Sequence, residues 1–498
     1  MLFLKNLHRR FRRGSYYAKM PLLVAPLIAA PLLVLPFYPE DAVYAPHFIV
    51  PALVTALLGV ALTFLTQDRE KPSTEWTSPL RRGSVPVLYA WGAAILAGAL
   101  PFVLAGKLDF IHALFESVSG WTTTGMTVVA AEELPKIFLF HRAFMQYSGG
   151  LGFIIIVSIV IQGRQTAAMY NAEGHPDGLM PNLRKTSRAI IYIYVSCLIL
   201  GTALYAIFGM PFFDAVCHTM SALSTAGFST RANSIGAYAS VPIELVSIVL
   251  MLIGSMNFAV LLLLARGKLR RFTQVTEVRF LGGMLVIFIS LTTLSLVTQY
   301  GMSILEGLRE AAFFVVTSYS TTGYSTANYA LWPQFIIGLL LLLMVLGGST
   351  GSTAGGIKLL RAYVLIRVTV ENIRRRLAPN HYVSVMRYTR PQGTAPIENS
   401  MILNTLEFVF CYFAIVVVGT LLMTLTAGCS LMDALYEFSS AFGTVGLSNG
   451  VTAAANSGTL VIEMIGMLLG RLEIFIVFIG LHAVAHSVRR AVQSRGAR

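Results

Sequence analysis

The 498-residue sequence predicts an all-α integral membrane protein in which four like repeats surround a common pseudo-fourfold axis, with two extra transmembrane helices ahead of them. Three observations predict it. Hydrophobic residues make up 55% of the chain and charged residues 12%, with a mean hydropathy of +0.70, whereas a soluble domain carries about 25% charged residues. Apolar runs recur that are long enough to cross a ~30 Å hydrocarbon core. A tripeptide Thr-x-Gly recurs four times, as Thr123-Thr124-Gly125, Thr225-Ala226-Gly227, Thr321-Thr322-Gly323 and Thr444-Val445-Gly446, its glycines 102, 96 and 123 residues apart.

Ten spans are expected, at 20–37, 46–66, 85–106, 137–162, 187–209, 241–265, 280–300, 332–375, 400–427 and 459–487. With a cytoplasmic N-terminus, segments 1–19, 67–84, 163–188, 266–279, 358–398 and 488–498 hold 31 of the 37 Lys and Arg residues. The opposite side holds four, Lys107, Lys136, Arg231 and Arg309, while Arg142 and Arg471 lie within spans. This asymmetry is the positive-inside pattern; it puts both termini in the cytoplasm and all four tripeptides outside. It also argues against nucleic acid as the reason for the net charge of +14. The basic stretch Lys5 to Arg13 and the apolar run after it look superficially like a signal peptide. The run is long, is broken by Pro21, Pro26, Pro31 and Pro36 and lacks a small-residue cleavage site, so a first span is expected instead. Cys197, Cys217, Cys411 and Cys429 have no metal or redox spacing and read as small packing residues.

Each tripeptide follows a short apolar helix, near 109–121, 212–223, 308–319 and 432–442, too short to cross and therefore re-entrant. Each glycine is followed by an apolar residue (Met126, Phe228, Tyr324, Leu447) and then a hydroxyl residue (Thr127, Ser229, Ser325, Ser448). Asp214, Glu310 and Asp433 stand 13 residues before their glycines; the first repeat has His112 there and Asp109 just upstream. Acids at a helix N-terminus are favoured by the macrodipole, so capping is the expected role. The partly negative helix end then points at the tripeptide, where a cation is welcome. Non-helical backbone survives at membrane depth only when buried in protein or lining a watery cavity. Glycine allows backbone angles that aim carbonyls at an axis. A site of neutral oxygens suits a monovalent cation; a divalent ion calls for an acidic ring.

The segments Phe115 to Gly125 (FESVSGWTTTG), Tyr147 to Gly152 (YSGGLG), Gly347 to Lys358 (GGSTGSTAGGIK) and Gly470 to Ile474 (GRLEI) resemble the Trk/Ktr/HKT superfamily of potassium transporters. The resemblance covers nearly the whole chain, and the two extra spans resemble the bacterial TrkH branch rather than the shorter KtrB branch. It implies that each repeat is an outer helix, pore helix, filter loop and inner helix, in a homodimer with one pore per subunit. It implies a potassium filter at Thr123, Thr124, Gly125, Thr225, Ala226, Gly227, Thr321, Thr322, Gly323, Thr444, Val445 and Gly446, with potassium as the transported ion. It also implies cytoplasmic TrkA-type regulatory subunits that bind NAD or adenine nucleotides, and location in the bacterial inner membrane. Plant relatives with poor potassium selectivity often carry Ser at the first filter glycine, so by resemblance Gly125 favours potassium. Gly443 before Thr444 departs from the simplest filter pattern.

The units expected are 1–84 with the two extra helices; repeats at 85–165, 187–266, 279–376 and 399–488; a basic loop at 377–398; and a tail at 489–498. Within repeat 3, Gly347, Gly348, Ser349, Thr350, Gly351, Ser352, Thr353, Ala354, Gly355, Gly356 and Lys358 superficially suggest a phosphate loop. Ile357 separates Gly356 from Lys358 and no strand is predicted before the segment, which excludes that motif. A hinge or tight helix crossing is one reading. The other is an inner helix broken at mid-membrane, which by resemblance is an intramembrane gate. Arg471, an intramembrane charge, is assigned to that gate, with a local pair to Glu473 as the alternative. Arg142 and Gln146, one turn apart, either brace the pore loop or contact the ion. Asn257 is expected to bond across helices. His482 and His486 have zinc-pair spacing without an evident third ligand. The basic stretch 374–390 reads as a lipid-facing cluster or a docking site for a regulatory subunit. No nucleophile–base pair stands out, so no enzyme activity is expected. A sodium-permeable or sodium- or proton-coupled symporter of the same superfamily, an integral membrane enzyme and an unrelated secondary transporter are the alternatives.

Overall fold

The computed structural model describes residues 16–65, 79–151, 183–377 and 385–496. The basic segments expected at 1–19, 67–84 and 163–188, the end of the 137–162 span, 378–384 and the last two residues fall wholly or partly outside them.

The two extra helices are Tyr16–Ala29, which runs on as a 3-10 turn over Ala30–Val34, and Ala45–Leu65. Pro21 and Pro26 sit inside the first helix, and Pro31 opens the 3-10 turn that ends it. Four repeats follow. Their outer helices are Pro79–Leu104, Leu183–Ile207, Thr276–Gln299 and Asn399–Ala427. Their short helices are Phe110–Trp121, Phe212–Leu223, Ile304–Tyr319 and Leu431–Phe442, close to the expected positions. The short helices are buried over most of their length, so they stand inside the ring of longer helices.

The inner helices depart from the ten uninterrupted or once-broken spans expected. Among the described residues six helices are long and apolar enough to cross continuously. The return span of repeat 3 is broken between Gln334–Leu346 and Leu359–Leu377, the second of the two readings open for segment 347–358. Those of repeats 2 and 4 are broken as well. Val241–Ser255 meets Phe258–Ala265 at 117°, and Ser457–Arg471 meets Ile474–Ser487 at 105°. At the first break Asn257 caps the new helix, its Oδ1 accepting from the Ala259 amide at 2.7 Å. At the second, Glu473 takes a left-handed backbone, φ 60°. Each break is only two residues long and the sequence is apolar on both sides of it, which is why the sequence reads each pair as a single span.

A glycine recurs along the inner helices of the repeats: Gly149, Gly254, Gly347 and Gly470. It lies 24 residues after the tripeptide glycine in repeats 1, 3 and 4 and 27 after it in repeat 2. A Cβ on Gly149, Gly254 or Gly470 would overlap the carbonyl oxygen of Trp121, Leu223 or Phe442, the last residue of the short helix in the same repeat. Absence of a side chain lets each inner helix seat against that carbonyl end.

An acid is itself the side-chain cap in one repeat only, while Asp214 and Asp433 lie in the first turns of their helices, as the macrodipole favours. Asp109 caps the first short helix, accepting from the Ile111 amide at 3.1 Å. Ser303 and Ser430 cap the third and fourth, and Pro211 precedes the second. The third helix starts a turn earlier than predicted because Ser303 and Glu306 form a capping box. Glu310 therefore lies inside the helix, where it accepts from Thr326 Oγ1 at 2.5 Å, and Asp214 accepts from Tyr238 Oη and Arg231. The all-α expectation has one exception in the basic loop, an antiparallel hairpin of β1 (Arg387–Arg390) and β2 (Gly393–Pro396), with Arg387 opposite Pro396. The Thr389 amide donates to Thr276 Oγ1 at 2.8 Å, tying the hairpin to the start of the third outer helix.

Gly470→Ala should lower the thermal unfolding midpoint of the detergent-solubilised protein. Gly92→Ala, where a Cβ meets open space inside the first outer helix, should leave it unchanged or raise it, since alanine gains ~0.5–1 kcal/mol over glycine in a helix.

Candidate functional site

All four short helices end in the same way. The second residue of each tripeptide donates its amide to the carbonyl five residues back: Thr124 to Ser119 (2.9 Å), Ala226 to Ser221 (3.0 Å), Thr322 to Thr317 (3.0 Å) and Val445 to Ser440 (2.8 Å). The first residue donates to the carbonyl three back, as in Thr123 to Gly120 at 3.2 Å. These paired bonds are a Schellman cap, whose left-handed residue is usually glycine. Here it is threonine in every repeat, with φ of 58°, 53°, 56° and 53° at Thr123, Thr225, Thr321 and Thr444. A β-branched residue in that region costs on the order of 1–3 kcal/mol, so the surrounding packing must impose it.

The tripeptide glycines follow with φ of 88°, 76°, 81° and 94° at Gly125, Gly227, Gly323 and Gly446. Each is seated against the middle residue of the next repeat. A Cβ on Gly125 would overlap Ala226 O; on Gly227, Thr322 O; on Gly323, Val445 O; on Gly446, Thr124 O. The contacts run 1 to 2, 2 to 3, 3 to 4 and 4 to 1. The four tripeptides, separated by about a hundred residues of chain, thus form one closed ring of backbone, ringed by the partly negative ends of four helices.

Side chains hold the ring from behind. Gln146 Nε2 donates to Ala226 O at 2.7 Å, while its Oε1 accepts from Ser221 Oγ at 2.6 Å and from the Phe228 amide at 3.2 Å. Arg142 donates to Glu116 Oε2 at 3.0 Å and to Thr127 Oγ1 at 2.8 Å, and lies 4.0 Å from the Phe228 ring centre. Both residues brace, the first of the two roles open to them. Glu116 also accepts from Thr127 Oγ1 at 2.5 Å and from the Val128 amide at 2.8 Å. In repeat 2, His218 Nε2 meets Ser229 Oγ at 3.0 Å. In repeat 4, Glu437 accepts from Ser448 Oγ, the Asn449 amide and the Thr452 amide and hydroxyl. Sequence reading missed Glu116, His218 and Glu437. Their shared place nine residues before the tripeptide glycine, and that of the hydroxyl two after it, is the signal that marks them.

The segment 347–358 lies directly beneath the ring. Its ends pair with each other: the Ile357, Lys358 and Leu359 amides donate to Val345, Leu346 and Gly348 carbonyls at 2.9, 3.0 and 2.9 Å. Gly347, Gly351 and Gly356 take left-handed angles, and Lys358 Nζ turns back to donate to Ala354 O. Its crown reaches three tripeptide threonines. Thr353 Oγ1 bonds Thr225 Oγ1 at 2.9 Å and donates to Gly254 O at 2.9 Å; the Gly355 amide donates to Thr321 Oγ1 at 3.0 Å; a Cβ on Gly355 would overlap Thr444 Oγ1 and Gly443 O. Ser352 Oγ folds onto Ser349 O at 2.6 Å. The broken inner helix of repeat 2 grips the side of the loop: the Ser349 amide donates to Ser255 O at 3.0 Å and Asn257 Nδ2 to Thr350 O at 2.5 Å. Asn257 therefore bonds to this loop rather than simply between helices. Buried Glu277, another residue sequence reading missed, accepts from the Thr350 amide at 3.1 Å.

Arg471 closes the remaining side. Its Nη1 donates to Thr353 O at 2.6 Å, and its Nη2 to Gly149 O at 2.6 Å and Gly150 O at 3.3 Å. One guanidinium thus joins the loop of repeat 3 to the inner helix of repeat 1, from the break in repeat 4. Glu473 pairs with Arg361 at 2.9 Å, across to the helix that follows the loop. Outside the site, the His482 and His486 rings stack with centres 6.2 Å apart.

Residues 48–487 match the family model of TrkH, described as a cation transport protein. The chain belongs to the TrkH family. Among its relatives, Trk system potassium uptake protein TrkH of Halomonas elongata is 31% identical over 80% of this chain and 84% of that protein. Trk system potassium uptake protein TrkG of Escherichia coli (strain K12) is 32% identical over the same shares. The crystal structure of the potassium transporter TrkH from Vibrio parahaemolyticus superposes with a TM-score of 0.81 at 29% identity, covering 93% of this chain and 96% of that one. The TrkH fold explains the repeats: a multi-pass membrane transport protein, of a family of transporters rather than enzymes.

Removing one partner of a buried ion pair strands the other. Glu116→Ala should cost about 3–5 kcal/mol of stability, read as a lowered unfolding midpoint, whereas Arg142→Ala combined with it should cost less than the sum of the two.

Proposed function

We propose that this chain takes up potassium through the ring of Thr123, Thr124, Gly125, Thr225, Ala226, Gly227, Thr321, Thr322, Gly323, Thr444, Val445 and Gly446. The observation that carries the reading is the closed circuit of glycine–carbonyl contacts at the meeting point of four helix ends. Neutral backbone and hydroxyl oxygens there can replace the water of a monovalent cation without holding it too tightly to leave. The ion's identity rests on relatives named potassium uptake proteins and on Gly125, which leaves the ring unobstructed.

The segment from Gly347 to Gly356, with Lys358 and Arg471, acts as the gate. In the arrangement described it stands across the path below the ring, so conduction requires Thr353 and Gly355 to leave the threonines they bond. Arg471 holds the shut form through three backbone carbonyls and sets a positive charge beside the cation path. The relatives' names place them in a Trk system, and we extend that to this chain: cytoplasmic TrkA-type subunits binding NAD or adenine nucleotides would move the gate, in a homodimer in the bacterial inner membrane. The surplus of Lys and Arg on one side supports cytoplasmic termini.

Expression should restore growth of a potassium-uptake-deficient bacterium at low potassium; a well-expressed protein that fails to rescue contradicts the assignment. Gly125→Ser should lower the preference for potassium over sodium in flux assays, since its side chain collides with Ala226 O. Arg471→Ala in a folded protein should raise basal potassium flux severalfold and weaken its regulation, whereas unchanged flux and regulation contradict the gate.

A further inference from the structure

Repeats 1 and 4 both carry a glutamate nine residues before the tripeptide glycine, Glu116 and Glu437. Seventeen residues after that glycine, on the inner helix, repeat 1 has Arg142 and repeat 4 has Glu463. Arg142 neutralises Glu116. In repeat 4 the corresponding position presents a second carboxyl group instead, and both glutamates are fully buried.

Hydrogen counting shows what this arrangement needs. Glu437 receives Ser448 Oγ at 2.5 Å, the Asn449 amide at 3.0 Å, the Thr452 amide at 2.9 Å and Thr452 Oγ1 at 2.5 Å. These partners, two of them amides that can only donate, suit an ionised carboxylate. Thr452 has one hydroxyl hydrogen, and the short contact to Glu437 takes it. Yet Thr452 Oγ1 also lies 3.0 Å from Glu463 Oε1. That contact is a hydrogen bond only if Glu463 supplies the hydrogen. Glu463 Oε2 is buried and has no hydrogen-bond partner among the described residues, as suits the carbonyl oxygen of a neutral acid but not a carboxylate.

We propose that Glu463 is a proton-binding site, occupied in this conformation, whose proton holds the fourth filter loop on Glu437. Glu437 and Cys429 interact with Glu463 directly. Of the helices packed against the same inner helix, the fourth short helix also carries Asp433 and Tyr436, the first short helix Glu116 and His112, the fourth outer helix Glu407, Cys411 and Tyr412, and the terminal helix His482 and His486. Glu116 is committed to Arg142 and His112 to Asp109. Glu437 is thus the charge that Glu463 meets when it ionises. Loss of the proton sets two carboxylates against one hydroxyl and pushes apart the helices that Thr452 joins. The loop from Ser448 to Thr452 then loses its anchor, and with it the fourth side of the ring.

The test is infrared spectroscopy of the full chain in lipid nanodiscs, followed by flux. At neutral pH the wild type should show a protonated-carboxyl C=O band that shifts in deuterium oxide and is absent from Glu463→Gln. Identical spectra from the two proteins overturn the proposal. Should Glu463→Gln fail to fold, Thr452→Val removes the acceptor of the proton and must shift the band; an unshifted band likewise overturns it. Raising the pH on the filter-loop side until the band disappears should cut rubidium uptake severalfold in wild type and leave folded Glu463→Gln flat. Equal pH dependence in both proteins overturns the coupling. The flux arm rests on the proposed potassium uptake; the infrared arm does not, so their failures are distinguishable.

Discussion

The structure depends on one contact made four times: an α-carbon without a side chain seated against a carbonyl of the neighbouring repeat. Because the contacts close on themselves, no repeat can move at this level without disturbing the next. The constraint works backwards along the chain. To deliver its glycine, each short helix must turn sharply just past its end, and it does so through a left-handed threonine that local preference opposes. The glycines of the inner helices follow from the same demand, since helix ends that converge on an axis leave little room between them.

Fourfold likeness is confined to that backbone ring. Behind it each repeat is braced differently: an ion pair at Glu116, an imidazole at His218, a carboxylate at Glu310 and a carboxyl pair at Glu437 and Glu463. Below it, among the described residues, repeat 3 alone contributes an inserted loop, held by Asn257 of repeat 2 and by Arg471 of repeat 4, which also bonds the Gly149 carbonyl of repeat 1. A symmetric filter over an asymmetric plug is a workable division. The ion needs equivalent oxygens from all sides, whereas a gate needs a part that can move alone.

Much of this was legible in the sequence, and the limits have physical causes. The short helices were found within a few residues because their length and the following Thr-x-Gly are local signals. The mid-membrane break at Gly347 was legible because small and hydroxyl residues interrupt an apolar run. The breaks at Asn257 and Glu473 were not, because each occupies only two residues and the sequence is apolar on both sides. The dipole alone suggests capping for the acids near the N-termini of the short helices; nearby serines cap two of these helices instead, freeing Glu310 for a loop hydroxyl. The buried braces were hidden because a lone Glu116 or Glu463 in an apolar helix declares no partner. Only alignment of the four repeats on their glycines sets Arg142 and Glu463 in register.

The central claim is that dehydrated potassium sits on the axis of the four tripeptides. Thallium, a potassium-like scatterer, tests it most directly by anomalous diffraction from crystals soaked in thallium and then in sodium. The account predicts an anomalous peak on that axis, within coordination distance of oxygens from all four Thr-x-Gly segments, absent in sodium. Peaks only elsewhere, or a ring equally occupied by sodium, would contradict it.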